Sequence, residues 1–251
     1  MKLSKKDWDA YISRLSKINR TASDLIVKYV DKYGLDDVES LVNYSYQVAN
    51  TYGTASAVLN AMMYDTIAEL EGIALPAAEL AASPTYGDVA KSIYGTLKTS
   101  QNAAELGGAV SRLVKLTGQD TMLKNAIRDH AEFAWIPVGT TCAFCITLAS
   151  RGWQRISNKA LKNGHAEHIH ANCDCSYMVR HSSDFDVSGY QPEKYQRMYY
   201  DADGNKPKDK INSMRRKFYQ ENREEILDQK ADAYEKRKEL ESDTAEETKV
   251  N

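Results

Sequence analysis

Long apolar runs are missing from this chain. None approaches the roughly 20 residues that a bilayer-spanning helix needs, so no membrane anchor is expected. The opening stretch MKLSKKDWDAYISRL is basic but has no apolar h-region, so a secretory signal is not expected either. A surplus of one charge is also lacking. Lys and Arg number 33 against 35 Asp and Glu, and the net charge is −2. That balance excludes a whole-molecule electrostatic grip on nucleic acid; any such contact needs a local patch. No internal repeat stands out. Cysteine is scarce, with four among 251 residues, and all four fall between 142 and 175. The five histidines cluster as well, between 130 and 181. Hydrophobic residues make up 42% of the chain, which is enough for a real core.

What is present reads as mainly α. Trp8, Tyr11, Ile12, Leu15, Ile18, Ala22, Leu25, Ile26 and Tyr29 fall at steps of three and four, which predicts a helix over 5–33. Gly34 suits its C-terminal cap and Asp36 the next N-cap. A second helix is expected over 36–72, with Leu41, Tyr44, Val48, Val58, Met62 and Ile67 inward and a bend at Gly53. The two prolines of 74–88 mark a connection. Shorter helices are expected at 87–99, 101–117 and 119–134, which makes 1–135 a helical N-terminal region that contains His130.

At WIPVGTTCAFC the texture changes. Residues 136–205 read as a small α+β module, with weak strands at 153–157 and 175–181. Such a module lacks the apolar residues for a large core and suits a metal staple. A charged helix is expected over 206–240, preceded by aromatic residues at 190, 195, 199 and 200. The tail 241–251 reads as disordered. DADG at 201–204 mimics the start of a calcium loop, but the further acids and the closing glutamate are absent.

The chemistry concentrates in HAEHIHANCDC, residues 165–175. Cys142 and Cys145 form a C-x-x-C, a spacing from which two thiolates reach one ion about 2.3 Å away. Twenty-seven residues separate Cys145 from Cys173; His170-x-x-Cys173 repeats the spacing with an imidazole first, and Cys175 follows two residues on. With His168, six donors compete for a four-coordinate ion. Cys142, Cys145, His170 and Cys173 make one set; the four cysteines with His170 as neighbour make another. In a reducing compartment paired cysteines beside histidines serve metals more often than disulfides. Structural zinc is therefore the favoured reading, ahead of a disulfide in the assembled state and of no special role.

Three catalytic readings fit less well. His165-Ala166-Glu167 matches the H-x-E of nucleobase deaminases, but their C-x-x-C follows a proline and comes after the histidine. Glu167-His168-Ile169 echoes an HNH-like nuclease, without the downstream asparagine and histidine. A cysteine hydrolase at Cys145 or Cys173 lacks an oxyanion loop and a placed partner.

NAIRDHAEFAWIPVGTTCAFCITLASRGW followed by HIHANCDC resembles the Mu F-like minor head proteins of tailed bacteriophages. The matching residues are Asn125, Ala126, Cys142, Cys145, Leu148, Ser150, Gly152, His170, Cys173 and Cys175, and the likeness spans roughly 119–205. Asp174 stands where those proteins commonly carry a basic residue. The resemblance implies a structural virion component present in few copies, not an enzyme. It implies a place at the portal vertex or head interior, reached from the host cytoplasm, and a part in head assembly or genome delivery. The portal protein, the major capsid protein and other head proteins are the implied partners.

A local charge excess adds packaged double-stranded DNA as a candidate partner. Between 141 and 223 there are 14 Lys and Arg against 9 Asp and Glu, and KPKDKINSMRRKFY concentrates the excess. Lys208, Lys210, Arg215, Arg216 and Lys217 are the candidate phosphate contacts. A host-side DNA-binding adaptor is the corresponding rival reading; a solvated basic face is the plainer one.

Overall fold

The computed structural model describes residues 2–138, 142–155, 175–224 and 227–228. Within them the chain is mainly α. Its order is β1 (Lys2–Leu3), α1 (Lys5–Tyr33), α2 (Val38–Glu71), α3 (Tyr86–Leu97), α4 (Ala103–Arg128), β2 (Glu132–Ile136), α5 (Ala143–Ala149), β3 (Gln154–Arg155), β4 (Ser176–Arg180), β5 (Asp186–Val187), α6 (Pro192–Tyr200) and α7 (Pro207–Glu221).

The helices start where side chains supply caps. Ser4 Oγ accepts the Asp7 amide at 3.1 Å, and Asp37, not Asp36, accepts the Ser40 amide at 3.0 Å. Thr85 and Asp88 form a reciprocal capping box at α3. Gly34 ends α1 at φ +73°, a conformation an L side chain resists. Of the expected inward stripe of α1, Trp8, Tyr11, Ile12, Leu15, Ala22 and Ile26 are buried and Ile18, Leu25 and Tyr29 are half-buried, while Ser16, Asn19 and Val30 also turn in. In α2 the stripe is rotated: Leu41, Val48 and Ile67 are buried, but Val58 and Met62 face out, and Ser45, Ser56, Asn60 and Tyr64 turn in. α2 continues as helix through Gly53, which lies against Thr117; an added Cβ would come within 3.2 Å of its hydroxyl.

The two helices expected at 101–117 and 119–134 are one, α4, and it stops at Arg128. Residues Glu132–Ile136 form a strand, so 1–135 is not wholly helical. His130 sits in the intervening turn at φ +55°, not in a helix. α4 runs between α1 and α2. At Gly107 it touches α1 so closely that a Cβ would lie 2.6 Å from Ser23 Oγ and 2.8 Å from its carbonyl oxygen.

The connection 73–85 is expected from its prolines. Its attachment to α4 is not. Asn125, fully buried, donates from Nδ2 to the Glu79 carbonyl at 2.8 Å and accepts the Glu79 amide at Oδ1, 2.9 Å away. The side-chain amide thus imitates a neighbouring strand. Thr121 Oγ1 accepts the Ala81 amide, and the Arg128 guanidinium reaches the carbonyls of Pro76 and Ala77.

The small sheets close the other end. β2 lies between β3 and β4, antiparallel to both, with Trp135 opposite Tyr177 and Glu132 opposite Arg180. The expected strands near 154 and 176 are these two. β1 pairs in parallel with β5, Leu3 beside Val187. One core joins Trp8, Leu15, Tyr64 and Met122 of the helices to Phe133, Trp135, Cys145, Cys175 and Tyr177. A second core lies among α1–α4, around Ile26, Leu41, Ile93 and Leu106.

Two outcomes test these contacts. Asn125→Asp keeps the shape but sets a carboxylate against the Glu79 and Thr121 carbonyls. It should lower stability by on the order of 3 kcal/mol in denaturant melts; an unchanged midpoint would show that 73–85 holds without it. Asp120, on α4, has its carboxyl pushed up to about 6 by burial from the ordinary 3.8. A raised folded value means the charged form opposes folding, increasingly as pH rises from 3.8 through about 6. Asp120→Asn should therefore stabilise the chain at pH 7.5, by on the order of 2 kcal/mol, and leave it unchanged at pH 3.5.

Candidate metal centre

β2 ends where β4 begins, with Ile136 opposite Ser176. That register brings Cys175, just before β4, next to the chain leaving β2. The Val138 amide donates to Cys175 Sγ at 3.3 Å. α5 then begins at Cys142, whose extended backbone (φ −71°, ψ 156°) makes it the N-cap. Its sulfur accepts the Cys145 amide at 3.5 Å. Cys145, one turn on, is buried in the larger core together with Cys175, while Cys142 is half-buried at its edge.

Other residues of the motif fix this geometry. Ser150 caps the C-terminus of α5, its amide on the Ile146 carbonyl and its hydroxyl on the Thr147 carbonyl. Gly152 takes φ +63° in the turn that follows. The Tyr190 hydroxyl holds the Ala149 carbonyl at 3.1 Å. An aromatic wall surrounds the sulfurs: Tyr177 meets Phe133 and Trp135 edge-on, and Tyr190 stacks beside Tyr195. Burial pushes the phenols of Tyr177 and Tyr195 up, and the neighbouring thiols Cys145 and Cys175 respectively add to the effect. The Arg180 guanidinium spans Glu132 and the Trp153 face, which fixes the outer edge of the sheet.

Cys142, Cys145 and Cys175 are thus all placed in one region. Among the described residues, no group of three His, Cys, Asp or Glu converges on a single point. His168, His170 and Cys173 lie outside the described residues, as do His165 and Glu167. The donors that are described suit a thiolate-bound ion in one respect. The sulfurs of Cys142 and Cys175 each accept a backbone N–H, the kind of outer contact that orients a ligand.

The remaining candidates separate by role. His181, which follows β4, presses edge-on against Tyr64, while its own amide and that of Ser182 bind the Glu71 carboxylate at 2.9 and 2.7 Å. That role is architectural. In the DADG turn, Asp203 pairs with Ser213 across the α6–α7 turn and Gly204 takes φ +112°, so its form follows from turn geometry. Lys208, Arg215, Arg216 and Lys217 lie on α7 with exposed side chains. Lys210 does not join them. Its ammonium donates to the carbonyls of Tyr199, Tyr200 and Ala202 at 3.2, 3.1 and 2.8 Å, capping α6. Of the charged helix expected over 206–240, Pro207–Glu221 is described; the tail 241–251 lies outside the described residues.

No helix among the described residues is long and apolar enough to cross a membrane. Neither the curated proteins nor the solved structures give a match to this chain. A family model does, the VG15 protein model, over residues 2–202. That stretch takes in both cores, the β2–β4 ladder, the three described cysteines and α6. The chain belongs to the VG15 family of viral gene 15 proteins and is of phage type.

Proposed function

We propose that the chain is a structural minor head protein of a tailed phage or prophage, of the Mu F-like kind. It sits at the portal vertex or the inner head surface and aids head assembly or genome delivery, without turnover. The observation carrying this reading is the match to a viral family over 2–202, joined to the C-x-x-C and H-x-x-C-x-C pair. The portal protein, the major capsid protein and packaged duplex DNA are the proposed partners.

In this reading a zinc ion, drawing four ligands from Cys142, Cys145, His168, His170, Cys173 and Cys175, ties α5 to the start of β4. When bound it supplies a crosslink between segments some 30 residues apart, with no reaction of its own. The chain's residues do the rest: the Cys145 and Val138 amides orient two sulfurs, and the aromatic wall keeps water from the inner side.

Purified particles should contain the chain in few copies, and particles made without it should assemble or deliver DNA poorly. Its absence from intact heads would overturn the assignment. DNA cleavage that requires a divalent metal and vanishes in Glu167→Ala or His168→Ala would replace it with a nuclease.

Native mass spectrometry of reduced protein should show one zinc per chain. Cys142→Ser or Cys173→Ser should lose the metal and lower the melting temperature. A metal-free chain lighter by two or four protons before reduction would mean disulfides instead.

Duplex DNA binding should be salt-sensitive and fall at least tenfold when Arg215, Arg216 and Lys217 become alanine. Lys210→Ala should instead lower thermal stability and leave DNA affinity unchanged. Equal losses from both variants would discount the division between cap and patch.

A further inference from the structure

A cavity of about 10 Å3 lies where α1, α2, α4 and the start of β4 meet. It is deep in the molecule, yet its wall is polar. Ser16 and Asn19 come from α1 and Gln119 from α4, and they are 8%, 7% and 2% exposed. Ser16 Oγ, Asn19 Oδ1 and both amide atoms of Gln119 have no hydrogen-bond partner among the described residues. Asn60, also on the wall, gives its Nδ2 to the Ser56 carbonyl and takes the Tyr11 hydroxyl at Oδ1.

Each buried polar atom left without a partner costs about 1–3 kcal/mol. Four such atoms on three residues around one cavity therefore point to a ligand. The space fits one water, for which on the order of 10–15 Å3 is needed. The chemistry fits as well. Asn19 Oδ1 can only accept, Gln119 offers one acceptor and one donor group, and the Ser16 hydroxyl can do either. Water, with two donors and two acceptors, matches that set. A metal cation does not, because the set holds no carboxylate and the basic residue Lys115 also lines the wall.

We propose that this cavity is a site for one ordered internal water, held by Ser16, Asn19 and Gln119, which crosslinks α1 to α4. Next to Gln119, Gly118 lets α4 approach α2 closely. There α4 lies so close to Ser56 and Asn60 of α2 that a Cβ would collide with both. Cys175 and Ser176 line the same cavity, so the site also borders the start of β4.

A crystal structure of the full chain, with water-to-amide NOEs measured in solution, tests the site. One density peak within hydrogen-bond distance of Ser16 Oγ, Asn19 Oδ1 and the Gln119 amide is expected, with a persistent NOE at the Gln119 side chain. Gln119→Leu should abolish both and lower the unfolding midpoint. If that variant does not fold, Ser16→Ala keeps the chain's volume nearly intact and should weaken the NOE. An empty cavity with the Asn19 and Gln119 amides bonded to each other would overturn the proposal. So would a chloride or metal peak, or an NOE that Ser16→Ala leaves unchanged.

Discussion

The close approach of α4 to its neighbours is the constraint on which the rest of the fold depends. α4 is enclosed by α1, α2 and α3 and by the β2–β4 ladder, and such a helix must shed side-chain bulk where the backbones meet. Gly107 does this against Ser23 and Gly118 against Ser56 and Asn60. The contacts resemble those between small residues in membrane bundles, but here the surrounding seam is polar: Ser16, Asn19, Asn60, Gln119 and Thr121 are all buried. A polar seam has fewer satisfactory arrangements than an apolar one, so it fixes how the three helices align. The same helix then carries Asn125 and Thr121, whose side chains hold the 73–85 connection, and it delivers the chain into β2.

That enclosure explains which parts of the fold were legible in the sequence. α1 has one buried stripe, so its period of three and four shows plainly. α4 is buried on several sides and lined with Gly, Ser and Thr, so it has no clean apolar stripe, and TGQD at 117–120 reads as a break. β2 was hidden for a related reason. EFAWI is short and apolar on both faces, and periodicity cannot separate such a run from a helical end. The misplaced inner face of α2 follows from the polar seam. Val58 and Met62 are more hydrophobic than Ser56 and Asn60, yet the latter pair is buried.

The candidate site was legible where chemistry sets the spacing and illegible where partners decide the role. Cys142, Cys145 and Cys175 stand out by residue type, and they occupy one region of the core. The functions of Asn125, Ser150 and Gly152 were visible only as a pattern. Their physical tasks, a strand-like amide, a helix cap and a positive φ, needed the neighbouring backbone to appear. Lys210 shows the converse. It sits in a basic run, but three carbonyls at the end of α6 claim its ammonium. Composition records charge and says nothing of which charge is already engaged.

The pairing of Lys2–Leu3 with Asp186–Val187 has a consequence for how the chain is made. A ribosome releases the N-terminal strand first and its partner last among the paired elements. At roughly 5–20 residues per second, the wait is on the order of ten seconds or more. During it, α1 to α4 can dock through local contacts, while Leu3 and the Trp8 end of the larger core lack their cover. The nascent bundle is then a stable but unfinished body with one apolar end exposed. Pairing Leu3 with Val187 then closes a loop of non-local sequence, a contact that cannot form until most of the chain is made.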